Sequence, residues 1–488
     1  MKPLSTRRLG LILGPVLFIL TLLSFHPEGL SKEANAVLAS TLWIAVWWIT
    51  EAIPIAVTSL LPIILFPLTG GLTLPETTAS FGHRLVFLYI GGFIIAIAIE
   101  KWQLHRRIAL NIIHMIGSNL SLIILGFMIA TAFLSMWISN TATAVMMLPI
   151  GMAIVSQLGQ SELKAKFGKV LMLSIAYSAS IGGVATLIGT PPNLIMAGVI
   201  EELYQVGITF CQWIIFGLPI STVLLFICWR YLVVYAFPMK GHAFPGGRTE
   251  IKRQLTSMGR IGYEEKMVLG IFILTAMAWM TRSYFLSKFI PGVDDTIIAL
   301  TGAIILFLFP SRSRKSPRLI DWESAVKLPW GIVLLFGGGL ALAEGFKVSG
   351  LAEWIGSQAT LLQGVTLILL LAVIVTAVNF LTEITSNLAT TSMILPILAP
   401  MALSIDVHPY ALIIGATMAA SCAFMLPVAT PPNAIVFGSG YLRIPEMVKT
   451  GIWMNIISII LVTLAVYFLL PYLWNLDLGT FPAELMRQ

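Results

Sequence analysis

Long, continuous runs of apolar residues recur along the whole chain and contain few charged residues. A helix needs about 20 predominantly apolar residues to cross a membrane, whereas a membrane β-barrel would show apolar and polar residues in alternation. The sequence therefore predicts an all-α polytopic protein that crosses the cell membrane many times. The strongest helical runs lie near 9–25, 37–52, 54–69, 85–100, 121–138, 170–188, 211–237, 267–285, 295–310, 330–345, 364–382, 408–428 and 449–473.

The charged residues support this assignment. They make up 10% of the 488 residues, whereas an ordinary soluble domain contains about a quarter. The net charge is +7 and the basic residues gather in clusters, which is typical of cytoplasmic loops in a membrane protein rather than of a nucleic-acid-binding surface. Because Arg7 and Arg8 form one such cluster, the N-terminus is predicted to be cytoplasmic, at the inner membrane if the protein is bacterial.

Three blocks of sequence occur twice, in the same order and 240 to 247 positions apart. This ordered recurrence predicts two related halves, residues 1–238 and 267–488, joined by a polar cytoplasmic loop at 239–266. The paired blocks are "IGGFIIAIAIEKW" and "FGGGLALAEGFKV", "SNTATAVMMLPI" (139–150) and "SNLATTSMILPI" (386–397), and "GTPPNLI" (189–195) and "ATPPNAI" (429–435).

A duplicated membrane unit with interrupted segments at matching positions is typical of an inverted-repeat secondary transporter, and the interrupted segments mark its binding site. Ser, Thr and Asn also occur as simple packing residues between membrane helices. That alternative explains one polar block well, but two copies, each followed by a TPPN block, favour a binding site.

The first Ser-Asn-Thr block, Ser139 to Thr141, is predicted to break its helix. Ser and Asn side chains compete for backbone hydrogen bonds inside helices. The helix that starts at the break directs its positive end there and attracts an anion, while the carbonyls of the preceding helix attract a cation. Hydroxyl, amide and carbonyl oxygens are ligands that hard cations such as Na⁺ prefer, and Ser135 lies one turn earlier.

The prolines of the two TPPN blocks are also predicted to break helices, because proline lacks a backbone donor. The carbonyls of Gly189 and Ala429 would then face a cation, and Asn193 and Asn433 would cap the helices that follow. None of the two Ser-Asn blocks and two TPPN blocks contains Lys or Arg. Bound Na⁺ would therefore supply positive charge that a divalent anion needs, which predicts coupled binding.

Through both Ser-Asn blocks, both TPPN blocks and the two Gly-Gly blocks, the chain resembles the divalent anion:sodium symporter (DASS) family, whose members carry dicarboxylates, citrate or sulfate. The resemblance implies a homodimer in which a transport part moves past a scaffold by an elevator mechanism. It also implies two re-entrant helical hairpins, for which 85–117 and 330–359 are the candidates, beside the two broken helices.

The resemblance implies two sodium sites and one substrate site. No other cofactor is expected. The first sodium site would use Ser135, Ser139, Asn140 and the carbonyl of Gly189. The second would use Thr382, Asn387 and the carbonyls of Thr385 and Ala429. The substrate would contact Asn140, Thr141, Pro191, Asn387, Leu388, Thr430 and Pro431.

Leu388 departs from the family pattern, in which Thr is common at this position. Leucine offers no hydroxyl to a carboxylate, but it suits the methylene groups of a small dicarboxylate. The predicted function is therefore sodium-coupled transport of C4-dicarboxylates such as succinate, malate and fumarate. A dicarboxylate or citrate exchanger that needs no sodium gradient, and a sulfate transporter, remain the alternatives.

Other functional classes have less support. An intramembrane enzyme would need a catalytic motif, and the sequence contains neither HExxH nor GxSxG. A channel fits poorly with twin interrupted helices, which suit alternating access. Glu383 lies inside an apolar region, where a carboxylate is a functional candidate. Its predicted role is structural, as the partner of a Lys, an Arg or a helix end, with proton coupling as the alternative.

Overall fold

The computed structural model describes residues 4–116, 119–158, 162–239, 245–313, 316–358 and 364–485. Every regular element of more than three residues within these ranges is a helix. The first half contains α1 (Leu4–Ser24), α2 (Lys32–Thr50), α3 (Ile55–Thr58), α4 (Leu61–Thr69), α5 (Leu74–Ala79), α6 (Arg84–Lys101), α7 (Leu104–Ile116), α8 (Leu120–Ser135), α9 (Asn140–Ser156), α10 (Glu162–Gly183), α11 (Pro191–Tyr204) and α12 (Phe210–Arg230).

The second half of the chain begins with a helix in the segment that links the two halves. It contains α13 (Pro245–Ser257), α14 (Tyr263–Thr281), α15 (Ser287–Phe289), α16 (Asp295–Leu308), α17 (Trp322–Ala325), α18 (Trp330–Val348), α19 (Leu351–Gln358), α20 (Leu367–Thr382), α21 (Asn387–Ser404), α22 (Pro409–Ala420), α23 (Pro431–Phe437), α24 (Ile444–Leu464) and α25 (Leu470–Trp474).

The prediction of a multi-pass helical membrane protein is confirmed. Seven helical segments in the described part of the chain are long and apolar enough to cross a membrane. They are Thr6–Ser24, Leu74–Lys101, Phe210–Ala236, Tyr263–Phe289, Trp330–Val348, Asn387–Ser404 and Ile444–Trp474.

The first Ser-Asn motif lies in a tight turn between α8 and α9. At its start α9 meets the end of α10, where the Asn140 side chain lies against Gly183. Near its other end, Gly151 of α9 packs against Leu171 and Ile175 in the middle of α10. The helix after the motif therefore runs antiparallel to α10.

Helix α8 runs in the opposite direction to α9. Trp213, near the start of α12, donates to the carbonyl of Val184 just after α10, and Trp229, near the end of α12, donates to the carbonyl of Ser121 near the start of α8. Ser135, the last residue of α8, bonds the carbonyl of Ala179. Ala179 lies near the end of α10, so the end of α8 lies close to Val184 and to the start of α12. Thus α8 and α9 form a helical hairpin with the motif at its tip.

The second Ser-Asn motif occupies the same position in a second hairpin. Leu371 of α20 packs at Gly415 of α22, and Thr382 bonds the carbonyl of Ala420, so α20 runs parallel to α22. The end of α21 reaches the start of α22 through the short segment 405–408, and the two helices pack together. Helix α21 therefore runs back along α22 and antiparallel to α20.

This arrangement corrects the predicted hairpin positions. Residues 85–117 and 330–359 do contain helix–turn–helix units, although residues 117 and 359 lie outside the described ranges. Their first helices, however, are long enough to cross a membrane, as is α21 with 18 residues, whereas α8, α9 and α20 have only 16 or 17 residues. The second helix α7 is amphipathic, with one face buried and two arginines near its start.

The interrupted helices are those at the TPPN motifs. Helix α10 ends at Gly183 and α11 begins at Pro191, while α22 ends at Ala420 and α23 begins at Pro431. The halves interlock around these breaks, since α23 packs on α9 and α10 and α11 packs on α21 and α22. Each Ser-Asn hairpin therefore contacts the TPPN helix of the other half.

The polar segment 239–266 is not simply a loop. It contains α13, which packs on α7 and on the hairpin helix α9. The face of α13 that carries Ile251 and Gln254 is buried, whereas Lys252 on the other face is exposed. Residues 240–244 of the predicted loop lie outside the described ranges.

Candidate functional site

The first candidate cation site lies where the α8–α9 turn meets the end of α10. Ser135 is fully buried, and its Oγ contacts the Asn140 side chain and donates to the Ala179 carbonyl at 2.7 Å. The Asn140 amide atom that faces this cluster lies 3.1 Å from the Ala179 carbonyl and 3.3 Å from the Gly189 carbonyl. Gly183 leaves room for this amide, since a Cβ there would lie 2.6 Å from it.

The orientation of the Asn140 amide decides the chemistry of this cluster. With its nitrogen inward, the amide donates to the two carbonyls. With its oxygen inward, the amide joins Ser135 Oγ and the carbonyls of Ala179 and Gly189 in a set of four oxygens, the ligand type that Na⁺ prefers. Ser139 Oγ accepts from the backbone N–H of Ala142 at 3.2 Å and caps α9.

The second half contains a matching cluster. Thr382 is buried, and its Oγ1 lies within hydrogen-bond distance of Asn387 Oδ1 (2.8 Å) and of the Ala420 carbonyl (2.9 Å). Thr382, Asn387 and Ala420 thus take the places of Ser135, Asn140 and Ala179. Thr385 Oγ1 instead bonds the Leu381 carbonyl at 2.8 Å and the Thr390 hydroxyl at 2.5 Å.

The TPPN asparagines do not cap their helices, so that prediction is wrong. The N-cap residues are Thr190 and Thr430, and Thr430 Oγ1 accepts from the backbone N–H of Asn433 at 3.3 Å. The Asn193 amide donates back to the Thr186 carbonyl at 2.7 Å, and the Asn433 amide likewise bonds carbonyls of the preceding turn. These buried amides hold the turns that carry Gly189 and Ala429.

The predicted substrate residues lie at the helix starts around these clusters. Thr141 and Pro431 are exposed, Pro191, Asn387 and Leu388 are half-buried, and Thr430 is buried. Leu388 packs against neighbouring apolar residues. The first N–H groups of a helix have no intrahelical partner and attract anions, and in α9 the Ser139 side chain already bonds that of Ala142.

Glu383 is buried and its carboxylate accepts four hydrogen bonds. Its Oε1 accepts from the backbone N–H of Phe424 at 2.7 Å and of Met425 at 2.9 Å, and its Oε2 accepts from Leu426 at 3.0 Å. The Asn455 side chain donates to Oε1 at 2.8 Å. Four donors suit an ionised carboxylate, so Glu383 is a structural clamp on the turn before α23, and its partner is that turn rather than a Lys, an Arg or a helix end.

The first half holds its equivalent turn without a carboxylate. There the Trp213 indole donates to the Val184 carbonyl at 3.0 Å and Thr186 bonds the Met136 carbonyl at 2.5 Å. Sequence reasoning missed Trp213, and it also missed Ala179 and its counterpart Ala420. These alanines act through backbone carbonyls, which leave no signature in a residue pattern.

Two helical hairpins, each with an oxygen cluster at its tip and each packed on an interrupted helix of the other half, define the architecture of a secondary membrane transporter. The comparisons agree with that class. Residues 5–475 match the family model described as "Sodium:sulfate symporter transmembrane region". The chain belongs to this family, which confirms the resemblance drawn from its motifs.

Two curated relatives are similar over nearly the full length. The chain is 50% identical to the sodium-dependent dicarboxylate transporter SdcS of Staphylococcus saprophyticus, over 96% of this chain and 92% of that protein. It is also 50% identical to SdcS of Staphylococcus aureus (strain MRSA252), over 98% of this chain and 94% of that protein.

Two solved structures share the fold at low sequence identity. The antimetabolite efflux pump MtrF of Neisseria gonorrhoeae aligns with a TM-score of 0.61 at 13% identity, covering 96% of both chains. The YdaH transporter of Alcanivorax borkumensis aligns with a TM-score of 0.56 at 14% identity, covering 96% of this chain and 97% of that one.

Proposed function

We propose that this protein is a sodium-coupled secondary transporter of divalent anions, with C4-dicarboxylates such as succinate, malate and fumarate as substrates. The observation that carries the proposal is the pair of matching clusters in which Asn140 and Asn387 each join buried oxygens to the first turn of a helix. The two SdcS relatives, which are named as sodium-dependent dicarboxylate transporters, support the same substrate class.

Each cluster would bind one Na⁺ ion. Ser135, the Asn140 amide oxygen and the carbonyls of Ala179 and Gly189 would hold the first. Thr382, Asn387 and the Ala420 carbonyl would hold the second, with the carbonyls of Thr385 and Ala429 as further ligands. Ser139 would assist the first site as the N-cap that fixes the turn.

The dianion would lie between the two clusters. Asn140 and Thr141 would contact one carboxylate, and Asn387 and Thr430 the other, together with the helix starts at Pro191 and Pro431. Leu388 would border the methylene groups. Because no Lys or Arg belongs to these motifs, the two Na⁺ ions and the helix N-termini supply the positive potential, and the anion binds well only after Na⁺.

The same proposal includes a homodimer, an elevator movement of the hairpin-bearing part, and a cytoplasmic N-terminus. The charge distribution supports that orientation. Basic residues cluster near the N-terminus at Arg7 and Arg8, in the segment 239–266 and in the segment 312–318, and such clusters favour the cytoplasmic side.

Uptake into proteoliposomes tests the proposal. Labelled succinate should accumulate only when a sodium gradient is directed inward, and unlabelled succinate and malate should compete better than citrate or sulfate. Accumulation that required internal dicarboxylate but no sodium gradient would instead indicate the exchanger. Strong competition by sulfate alone would indicate the sulfate transporter.

A further inference from the structure

The turns before the two TPPN helices each present a backbone carbonyl to an aromatic donor. The TPPN motifs lie 240 positions apart, so Val184 in the first turn corresponds to Phe424 in the second. In both turns the asparagine of the motif bonds the carbonyl two residues further on, which agrees with this correspondence. The Trp213 indole donates to the Val184 carbonyl at 3.0 Å, and the Tyr177 hydroxyl donates to the Phe424 carbonyl at 2.9 Å.

The two donors differ in the half of the chain that supplies them. Trp213 belongs to the same half as Val184, whereas Tyr177 lies on α10 in the first half and Phe424 lies in the second. Counting back two residues from the cluster carbonyls on α10 and α22 places Met418 opposite Tyr177. A thioether cannot donate a hydrogen bond, so the second half returns no equivalent bond to the first turn.

Tyr177 connects the second turn to the helix that carries the first oxygen cluster. Tyr177 and Phe424 are both fully buried, and their rings pack edge to face with centroids 5.0 Å apart. Tyr177 lies two residues before Ala179, whose carbonyl accepts from Ser135 in the first cluster. One continuous helix therefore contacts the first cluster and the second turn.

The second turn leads in both directions to the second cluster. The Phe424 N–H donates to Glu383 Oε1 at 2.7 Å, and Glu383 directly follows Thr382. Further along the turn, the Leu426 carbonyl accepts from the backbone N–H of Ala429 at 3.2 Å. A displacement of Phe424 would therefore move oxygens on both sides of the proposed second sodium site.

We propose that Tyr177 is a positioning residue for the second sodium site. Its hydroxyl fixes the Phe424 carbonyl from the first half of the chain, and so sets the position of the oxygens of Thr382 and Ala429. This role rests on the sodium-coupled function proposed above, and it makes the second site depend on both halves although its ligands all belong to one. Because Tyr177 contacts neither the ion nor the anion, its loss should weaken sodium binding and leave the anion contacts unchanged.

Sodium titrations of succinate uptake by Tyr177→Phe in proteoliposomes test the proposal. Phenylalanine keeps the ring packing and removes only the hydroxyl. The loss of one neutral hydrogen bond lowers an affinity about two- to tenfold. Half-maximal uptake depends on the product of two sodium affinities, so the sodium concentration that it requires should rise about two- to threefold. The maximal rate and the KM for succinate at saturating sodium should stay at the wild-type values, which a general loss of structure would not allow.

Tyr204→Phe is the matched control. Tyr204 is also buried, and its hydroxyl donates across the two halves to the Ala399 carbonyl at 3.2 Å. That carbonyl lies about 18 Å along α21 from the hairpin tip, at 1.5 Å per residue, so the sodium dependence should not change. Tyr177→Met installs the residue type that the second half carries at this position. It should raise the sodium requirement at least as much as Tyr177→Phe, and it tests the hydroxyl even if Tyr177→Phe does not fold.

A double variant assigns the effect to one of the two sites. Gly183→Ala should disturb the first cluster, since a Cβ there would lie 2.6 Å from the Asn140 amide. If Tyr177 acts on the second site, combining Gly183→Ala with Tyr177→Phe should multiply their separate effects on the sodium requirement. A double variant no worse than Gly183→Ala alone would place the effect of Tyr177 in the first cluster and overturn the proposal.

Two further results would also overturn it: an unchanged sodium requirement in Tyr177→Phe, or an equal rise in Tyr204→Phe. Failure of the proposed function is recognised separately, because it is seen in the wild type. Wild-type uptake with no dependence on sodium would refute the sodium-coupled function and, with it, the role of Tyr177.

Discussion

At the scale of single residues, two asparagines connect the proposed sodium sites to the helix starts proposed to bind the anion. Each occupies the first position of a helix, and each side chain reaches a hydroxyl one turn earlier. Alanine keeps the helix start but removes the amide, so neither the cation nor the anion regains its ligand.

We expect Asn140→Ala and Asn387→Ala each to reduce sodium-driven succinate uptake to the background of empty liposomes, with folded protein. Asn111 is exposed and lies on α7, away from both motifs, so Asn111→Ala serves as the control and should transport normally. Uptake and size-exclusion profiles are compared for all three variants. Near-normal uptake by either motif variant would refute the dual role of its amide.

Leu388 is the residue on which substrate choice is expected to depend, because it takes the place of Thr141 in the second half. A hydrogen bond to a charged group contributes about 1.5–3 kcal/mol, which is about a tenfold to hundredfold change in affinity. Leu388→Thr should therefore tighten binding or extend the range toward citrate. Leu388→Val, which matches threonine in shape but lacks the hydroxyl, is the control. If competition uptake ranks succinate, malate, citrate and sulfate alike in both variants, Leu388 does not face the substrate.

At the scale of helices, the sequence predicted where most helices lie but not how they turn. Apolar runs locate helices because lipid demands them, and α6 and α8 begin within a residue of their predicted starts. The Ser-Asn motif also indicated an interruption. It did not indicate that the chain reverses there, because Ser139 caps a new helix equally well in either direction. The hydrogen bonds from Glu383 to the turn at Phe424 could not be predicted from the sequence either, because the donors are backbone N–H groups and any residue type supplies them.

The end of α10 provides a test of the first oxygen cluster that leaves its ligands unchanged. A Cβ on Gly183 would lie 2.6 Å from the Asn140 amide and 3.0 Å from the Gly189 carbonyl. We expect Gly183→Ala to displace Asn140 and to raise the sodium concentration required for half-maximal uptake by tenfold or more. Gly270→Ala is the matched control, because no atom lies within 4 Å of its Cβ position in α14. An unchanged sodium dependence in Gly183→Ala would argue against a cation in this cluster.

The clamp on the second turn should contribute to stability as well as to shape. Glu383→Gln keeps the volume but replaces one accepting oxygen with an NH₂ group that faces backbone N–H donors. A hydrogen bond to a charged group contributes about 1.5–3 kcal/mol, so the melting temperature should fall clearly below that of the wild type. Glu28 is exposed near the end of α1, and Glu28→Gln should melt like the wild type. Equal melting temperatures in both variants would show that the turn is held without Glu383.

At the scale of the whole molecule, the two halves complete each other's sites. Helix α11 packs on α21 and α22, and α23 packs on α9 and α10, so a dianion between them would touch residues from both halves. None of the two Ser-Asn motifs and two TPPN motifs contains Lys or Arg. In the proposed mechanism, the potential that holds the anion would therefore depend on cations bound at both hairpin tips.

This dependence predicts reciprocal coupling between Na⁺ and succinate. If Na⁺ raises succinate affinity by a given factor, succinate must raise Na⁺ affinity by the same factor, because both describe one coupling free energy. Calorimetric titrations of succinate in sodium and choline buffers, and of Na⁺ with and without succinate, measure the two factors. We expect equal factors of at least tenfold, and succinate binding of equal strength in sodium and choline would favour the exchanger and contradict sodium coupling.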